Sequence, residues 1–429
     1  MRALVAAAAF FGIFQEFAGA DVLRVNADRL NRRIAELAEI GGTAEGGVHR
    51  PAFCLDDVKA REKVIAWMKE AGLEIRMDAA ANIIGRLPGT DPRLPALMAG
   101  SHLDTVPHGG RYDGAAGVLA AVECVRVLGE NGRTTRHPVE VVIFTDEEGG
   151  TVGSSALVGD VTPKALDAPT SSGTTVREGI VFLGGDPGRL QEAVRRPASI
   201  AAYLELHIEQ GGVLASKGIP IGIVEGIVGI RRWTVAVEGT ANHAGTTPMD
   251  IRRDALVAAS RFVLDVWRVV TAKPGRQVGT VGQIRVEPGA PNVIPGRAVL
   301  TLELRDLEEA RIQCLFEEIR EAARTIEGET GVSFSFAPLG DAARPAMMDP
   351  AIREAIAAAA KELGFPAISL PSGAGHDAQN MARVAPAGMI FVPSRGGISH
   401  SPREFTAPAD LVAGADVLLA TLLALDARR

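Results

Sequence analysis

Cysteine is nearly missing from this chain: 3 residues in 429, Cys54, Cys124 and Cys314, far apart and without a Cys-x-x-Cys pair. That excludes a disulfide scaffold and a thiolate zinc site, so any metal has to come from histidines and carboxylates. Cys124 and Cys314 fall inside helical patterns and are expected as core fillers. No basic run interrupts a net charge of −7, which argues against nucleic acid or an anionic membrane as the main partner. The apolar run Ala3–Phe14 is too short to cross a bilayer. Preceded by Arg2 and followed by Ala18-Gly19-Ala20, it has the outline of a secretory signal, and an apolar helix or an upstream start codon reads equally well.

What is present is the composition of a globular protein, 47% hydrophobic and 23% charged, with length for two or three domains. Helical patterns cover about 21–41 and 56–71. Short strands then alternate with helices: 73–77, 82–86, 94–99, a helix 114–129 and a strand 139–145. Such alternation predicts an α/β fold with a mostly parallel mixed sheet flanked by helices. The stretch 150–198, rich in Gly, Pro, Ser and Thr, reads as a surface excursion with one helix at 187–195. A ββαββαβ pattern from 219 to 336 predicts an inserted α+β lid and dimerisation domain, after which the α/β pattern returns. The expected division is a discontinuous catalytic domain, 21–215 and 338–429, around an insert at 216–337.

Ligand-type residues gather where apolar strands end. Leu94–Ala99 runs into Gly100-Ser-His102-Leu-Asp104 and on to Asp113, 139–145 into Asp146-Glu147-Glu148, and 200–206 into His207-Ile-Glu-Gln210. The strand 389–392 is followed by His400. In α/β sheets ligands bind at the carboxyl ends of strands. Singly these residues have plain alternatives: Asp113 as a helix N-cap, His102 as a core histidine, Asp104 as a turn cap. Together, His102, Asp113, Glu147, Glu148, His207 and His400 suit borderline divalent metals. Five ligands with one bridging carboxylate hold two ions roughly 3.5 Å apart, leaving one carboxylate as a general base.

The motifs Gly100-Ser-His-Leu-Asp-Thr-Val-Pro107, Gly110-Arg-Tyr-Asp-Gly114, Glu147-Glu-Gly149, His207-Ile-Glu-Gln-Gly211, Asn242-His-Ala-Gly-Thr-Thr-Pro-Met249, Gly375-His-Asp-Ala378 and Gly397-Ile-Ser-His-Ser-Pro402 resemble those of the hydantoinase/carbamoylase amidohydrolases, within the dimetal aminoacylases and carboxypeptidases. The resemblance implies two divalent ions per subunit, zinc or else manganese, cobalt or nickel. It places His102 and His207 on opposite ions, with Asp113 bridging and Glu148 and His400 completing the pair. Glu147 becomes the general base, taking a proton from the attacking water and returning it to the leaving nitrogen, and Asp104 orients an imidazole. His243 is implied as an oxyanion donor reaching into the partner subunit's site, Asn292 and Arg305 as holders of a substrate carboxylate, and Gln210 and His376 as pocket residues.

The implied activity is cleavage of the carbamoyl or ureido C–N bond of N-carbamoyl L-amino acids or allantoate by a homodimer with no nucleic-acid or membrane partner. Its place is cytoplasmic, or exported if residues 1–20 are a signal. An aminoacylase or dipeptidase on another acyl group, and a non-catalytic metal-binding relative, are the alternatives. One departure concerns the pocket wall: Gly150-Thr151-Val152 stands where the family usually has Ser-Arg-Phe, which bears on substrate more than on reaction.

Overall fold

Four parallel strands lie side by side at the heart of a nine-stranded mixed sheet, in the order Val139–Phe144, Ala96–His102, Ile200–Ile208, Ala387–Val392. The structure is a computed structural model and describes residues 23–196, 198–340 and 342–428. The amino-terminal apolar run, and with it the export reading, lies outside the described residues.

Every residue of Ala96–His102 and of Val139–Phe144 is buried, because both sheet faces are covered. Leu97 and Ala99 face one cluster, packed with Val118, Leu119 and Val122 of helix Ala115–Glu130 and Leu418 and Leu422 of helix Pro408–Asp426. Met98 points the other way, among Phe144, Tyr203, Met389 and Phe391. This is the period-two alternation of a strand placed in a doubly covered sheet. Pro408–Asp426 is apolar and long enough to cross a membrane, but 61% of its apolar window is buried in the protein; its hydrophobicity serves the core.

A second sheet is antiparallel, in the order Ser333–Pro338, Gly229–Glu238, Arg297–Asp306, Val278–Glu287. Along Arg297–Asp306 every second residue is buried. Ala298, Leu300, Leu302 and Leu304 pack against Phe262 and Val266 of helix Ala255–Thr271 and Phe316 and Ile319 of helix Glu309–Thr330. The chain enters and leaves this unit side by side, the Ile230 N–H donating to the Ala343 carbonyl at 2.9 Å.

Several expectations are corrected. The strand placed at 219–225 in the insert belongs to the large sheet. Observed as Ile221–Ile227, it pairs antiparallel with Ala387–Val392 and parallel with Ala367–Ser372. Its successive buried residues Ile221, Gly222, Ile223 and Val224 mark a strand covered on both faces, unlike the alternating strands of the second sheet. Residues 150–198 are more ordered than a surface excursion: helices Val152–Leu157, Pro163–Leu166 and Val176–Phe182 bury Phe53, Val152, Leu166, Val176 and Ile180 in a small core of their own. Cys124 is buried as expected, but Cys314 is exposed, on the outer face of Glu309–Thr330.

Candidate functional site

The carboxyl ends of the four parallel strands converge on Asp113. His102 ends its strand, and its Nδ1 sits 3.0 Å from the Asp104 carbonyl. His207, one residue before its strand ends, sets Nδ1 2.9 Å from the Ile208 carbonyl. A carbonyl accepts only, so each Nδ1 carries a proton and each Nε2 keeps a lone pair. Both Nε2 atoms face Asp113 Oδ1, at 3.6 Å from His102 and 3.1 Å from His207. His102 Nε2 is buried and has no hydrogen-bond partner.

Asp113 does not cap the helix that follows it. The N-cap is Gly114, with no side-chain cap bond, so the carboxylate is free to turn into the cluster. Gly114 has φ +63°, and a Cβ on it would lie 2.4 Å from the His102 ring; a Cβ on Gly117 would lie 2.2 Å from the Leu206 carbonyl oxygen. Glycine at both positions lets the helix start hard against the histidine strands.

On the other side, Asp113 Oδ2 accepts from Gln210 Nε2 at 2.7 Å and lies 3.4 Å from His400 Nε2. His400 Nε2 is also 3.5 Å from Glu148 Oε2. Two ligand groups result, His102–Asp113–His207 and Asp113–Glu148–His400, each with its ligand atoms within 4.8 Å of one another. The resemblance implies His102 and His207 on opposite ions, whereas their neighbouring strands bring both imidazoles to the same side of Asp113, within one group of ligand-type atoms. A third grouping, Glu205, His207 and His376, needs no ion. The Glu205 carboxylate already accepts from Ser101 Oγ at 2.7 Å, Tyr203 OH at 3.1 Å and the Ala378 N–H at 2.9 Å.

Asp104 meets His102 with both of its groups, the backbone carbonyl at 3.0 Å and the carboxylate at 3.7 Å from Nδ1, and the carboxylate also accepts the N–H groups of Glu147 (3.4 Å) and Glu148 (3.1 Å). It thereby fixes the turn that presents both glutamates. Glu147 Oε2 reaches to 3.5 Å from His102 Nε2 and is a member of neither ligand group. Gln210, His400 and Asp146 have φ of 55°, 51° and 53°, left-handed conformations that cost non-glycine residues about 1–3 kcal/mol each and persist only where surroundings impose them.

The electrostatics fit cations. Burial, with Asp377, Glu148 and Asp113 adding, pushes Glu147 well above the usual carboxylate range. Burial and then Asp113 raise Glu148 to about 7. Asp113 is the exception: burial pushes it up, but the surrounding His102, His207 and His400 hold it well below its ordinary value. His400 is raised to about 9, chiefly by its hydrogen bond to Asp113. Crowded buried carboxylates beside an orphaned imidazole nitrogen, with nitrogen and oxygen donors only, match the preferences of divalent transition metals.

Among the remaining expected residues, His376 is buried edge-on behind His207, ring centroids 4.4 Å apart, with Nε2 2.8 Å from Ser372 Oγ. It backs a ligand and lines no open wall. Arg305 donates through Nη1 to the Gly373 carbonyl, three residues before His376, and through Nε to Glu303 at 2.7 Å. Asn292 and His243 are exposed neighbours on the insert: Val293 pairs with His243, and the Asn292 carbonyl accepts the Ala244 N–H at 3.0 Å. His243 Nδ1 accepts from the N–H groups of Gly245 (3.0 Å) and Thr246 (3.2 Å), so its proton is on Nε2. Among the described residues, none of its hydrogen-bond partners belongs to the metal-type cluster.

Sequence reasoning missed Ser399 and Glu404, which contact Asp113 from the His400 loop. Thr151, where the pocket wall departs from the usual motif, is held in a left-handed turn (φ 53°) with its Oγ1 3.1 Å from Asn380 Nδ2.

Residues 98–424 match the peptidase family M20/M25/M40. An N-carbamoyl-L-amino acid amidohydrolase of Geobacillus stearothermophilus is 43% identical over 403 residues, 93% of this chain and 98% of that one. An allantoate amidohydrolase of Bacillus subtilis is 37% identical over 390 residues, 89% of this chain and 93% of that one. A hydantoinase/carbamoylase family amidase from Burkholderia multivorans superposes with a TM-score of 0.89 at 36% identity, covering 95% of this chain and 99% of its own. Sequence match, fold and clustered ligand residues agree: the chain belongs to the hydantoinase/carbamoylase amidohydrolases of peptidase family M20/M25/M40.

Proposed function

We propose that this protein is a dinuclear metal-dependent amidohydrolase that removes the carbamoyl group from N-carbamoyl L-amino acids or cleaves the related ureido acid allantoate. The observation that carries this reading is the pair of ligand groups sharing Asp113, with the Glu147 carboxylate beside them and outside both. His102, Asp113 and His207 would hold one ion, and Asp113, Glu148 and His400 the other, with zinc, manganese, cobalt or nickel all suited to these donors. Such ions polarise the scissile carbonyl and lower the pKa of the attacking water. Glu147, held beside the cluster and outside both ligand groups, would take the water's proton and pass it to the leaving nitrogen.

The insert supplies recognition. The Arg305 guanidinium matches a carboxylate with two parallel hydrogen bonds, and Asn292 adds an amide. The exposed Nε2–H of His243 suits an oxyanion, in the site of a second copy. In support of a dimer, the insert carries an apolar face: Leu264 and Trp267 of helix Ala255–Thr271 are each 70% exposed and Met249 is 77% exposed. Val278 and Ile284, on the edge strand Val278–Glu287, are exposed as well. Patches of this kind mark association surfaces.

Two experiments test the reading. Protein stripped with a chelator and reloaded with Zn²⁺, Mn²⁺, Co²⁺ or Ni²⁺ is assayed for ammonia release on N-carbamoyl L-amino acids, allantoate and N-acetyl amino acids. Metal-dependent release from the carbamoyl compounds or allantoate is the expected result. Turnover of only the N-acetyl compounds would replace this substrate class with that of an aminoacylase. Separately, the double substitution Leu264→Glu/Trp267→Glu is expected to yield a monomer in sedimentation, with metal content unchanged and turnover lost. A fully active monomer removes the cross-subunit role of His243.

A further inference from the structure

Glu404 is a buried carboxylate that belongs to neither ligand group. Its Oε1 accepts the peptide N–H groups of Tyr112 (2.9 Å) and Asp113 (3.2 Å), and its Oε2 accepts the Ser399 hydroxyl at 2.7 Å. Ser399 Oγ also lies 3.0 Å from Asp113 Oδ2. A hydroxyl has one proton, and the nearer acceptor is Glu404. Asp113 Oδ2 is then served by the Gln210 amide and keeps a lone pair on the side of His400. Room for this arrangement comes from Gly110, where a Cβ would fall 2.0 Å from the Glu404 carboxyl.

We propose that Glu404 is a positioning residue for the Asp113–Glu148–His400 group, setting the distance between the His400 loop and the Asp113 backbone. The inference rests on the two-ion reading above. Its logic is the unequal support of the two groups. His102 and His207 stand on interior strands with Nδ1 fixed by backbone carbonyls. His400 stands on a loop, in a left-handed conformation, with its side chain 49% exposed. Glu404 follows it by four residues, so the bonds from the Tyr112 and Asp113 peptide N–H groups to Glu404, and from Ser399 to Glu404, tie that loop to the backbone of the shared carboxylate. Outer partners that orient metal ligands are commonly worth about 10–100-fold in metal affinity.

The test titrates chelator-stripped protein with Mn²⁺ by calorimetry, alongside the melting temperature of the stripped protein. Glu404→Gln keeps an acceptor for the two peptide N–H groups but puts an amide NH₂ where Ser399 needs an acceptor. Wild type is expected to show two binding events. Glu404→Gln is expected to weaken one of them by about 10–100-fold, leaving the other event and the metal-free melting temperature unchanged. Gly110→Ala, which displaces the carboxylate by its methyl, is expected to do the same. Equal weakening of both events in step with a lowered metal-free melting temperature would show a merely structural role and overturn the proposal, as would no change. If Glu404→Gln does not fold, Ser399→Ala and Gly110→Ala decide by the same criteria. A single event in wild type would instead remove the two-ion reading on which the proposal stands.

Discussion

Asp113→Asn is expected to produce a folded protein that binds neither ion at wild-type affinity and has no measurable turnover. Asp113 is the one residue common to both ligand groups. Its Oδ1 faces the Nε2 atoms of His102 and His207, and its Oδ2 faces His400. Asparagine offers one oxygen, no charge, and an NH₂ that would point at one group or the other. The loss should exceed the roughly 10–100-fold typical of outer partners, because a direct ligand is removed from each group. The stripped variant should still fold but melt lower: Asp113 pushes up the carboxyls of Glu147, Glu148 and Glu404, yet His102, His207 and His400 hold Asp113 itself well below its ordinary value, so its charge is net stabilising in the metal-free state. Elemental analysis of the purified variant, with a melting curve of the stripped protein, reads both halves. Retention of one ion at wild-type affinity would show that the carboxylate is not shared.

Glu147→Gln is expected to do the opposite: full metal content with kcat lowered by about 10²–10⁴-fold, the range supplied by a positioned general base. Each ligand group has three members without Glu147, so its charge is not needed to retain metal. What the carboxylate offers is a basic oxygen at the cluster, 3.5 Å from His102 Nε2, held in the turn whose peptide N–H groups the Asp104 carboxylate fixes. Glutamine preserves that shape and cannot take a proton. Because the change acts in the transition state, KM should move far less than kcat. Steady-state kinetics at constant metal loading decides, and near-normal turnover would end the assignment of Glu147 as base.

The convergence of ligand residues was readable in the chain because parallel interior strands are apolar until they exit the sheet. A histidine or carboxylate directly after such a run has few places to go but the crevice at the strand ends. Lateral order is another matter. Whether His102 shares an ion with His207 depends on which strands are neighbours in the sheet, and spacing along the chain does not encode that. Asp104 illustrates a second limit: its carbonyl is the nearer partner of His102, while its carboxylate, 3.7 Å from the same ring nitrogen, also serves a different strand's exit, and a sequence does not separate the two groups of one residue. Glu404 left no signal for a third reason. Its partners toward Asp113 are two peptide N–H groups some 290 positions away, and backbone groups look alike in every sequence. The misplaced strand Ile221–Ile227, by contrast, was legible: its apolar start, Ile221-Gly-Ile-Val224, differs from the alternation of the insert's strands.

The paired crossing between the two sheets bears on motion. The bridge Ile230–Ala343, with the antiparallel pairs Ile227–Ala346 and Gly226–Met347 behind it, makes the connection a short two-stranded ribbon. Such a ribbon stretches and shears stiffly, since either would break its hydrogen bond, and flexes easily only across its flat face. The insert is thus carried on something closer to a door hinge than a ball joint. His243, Asn292 and Arg305, all borne on the door, would swing through one arc and reach or leave their stations together.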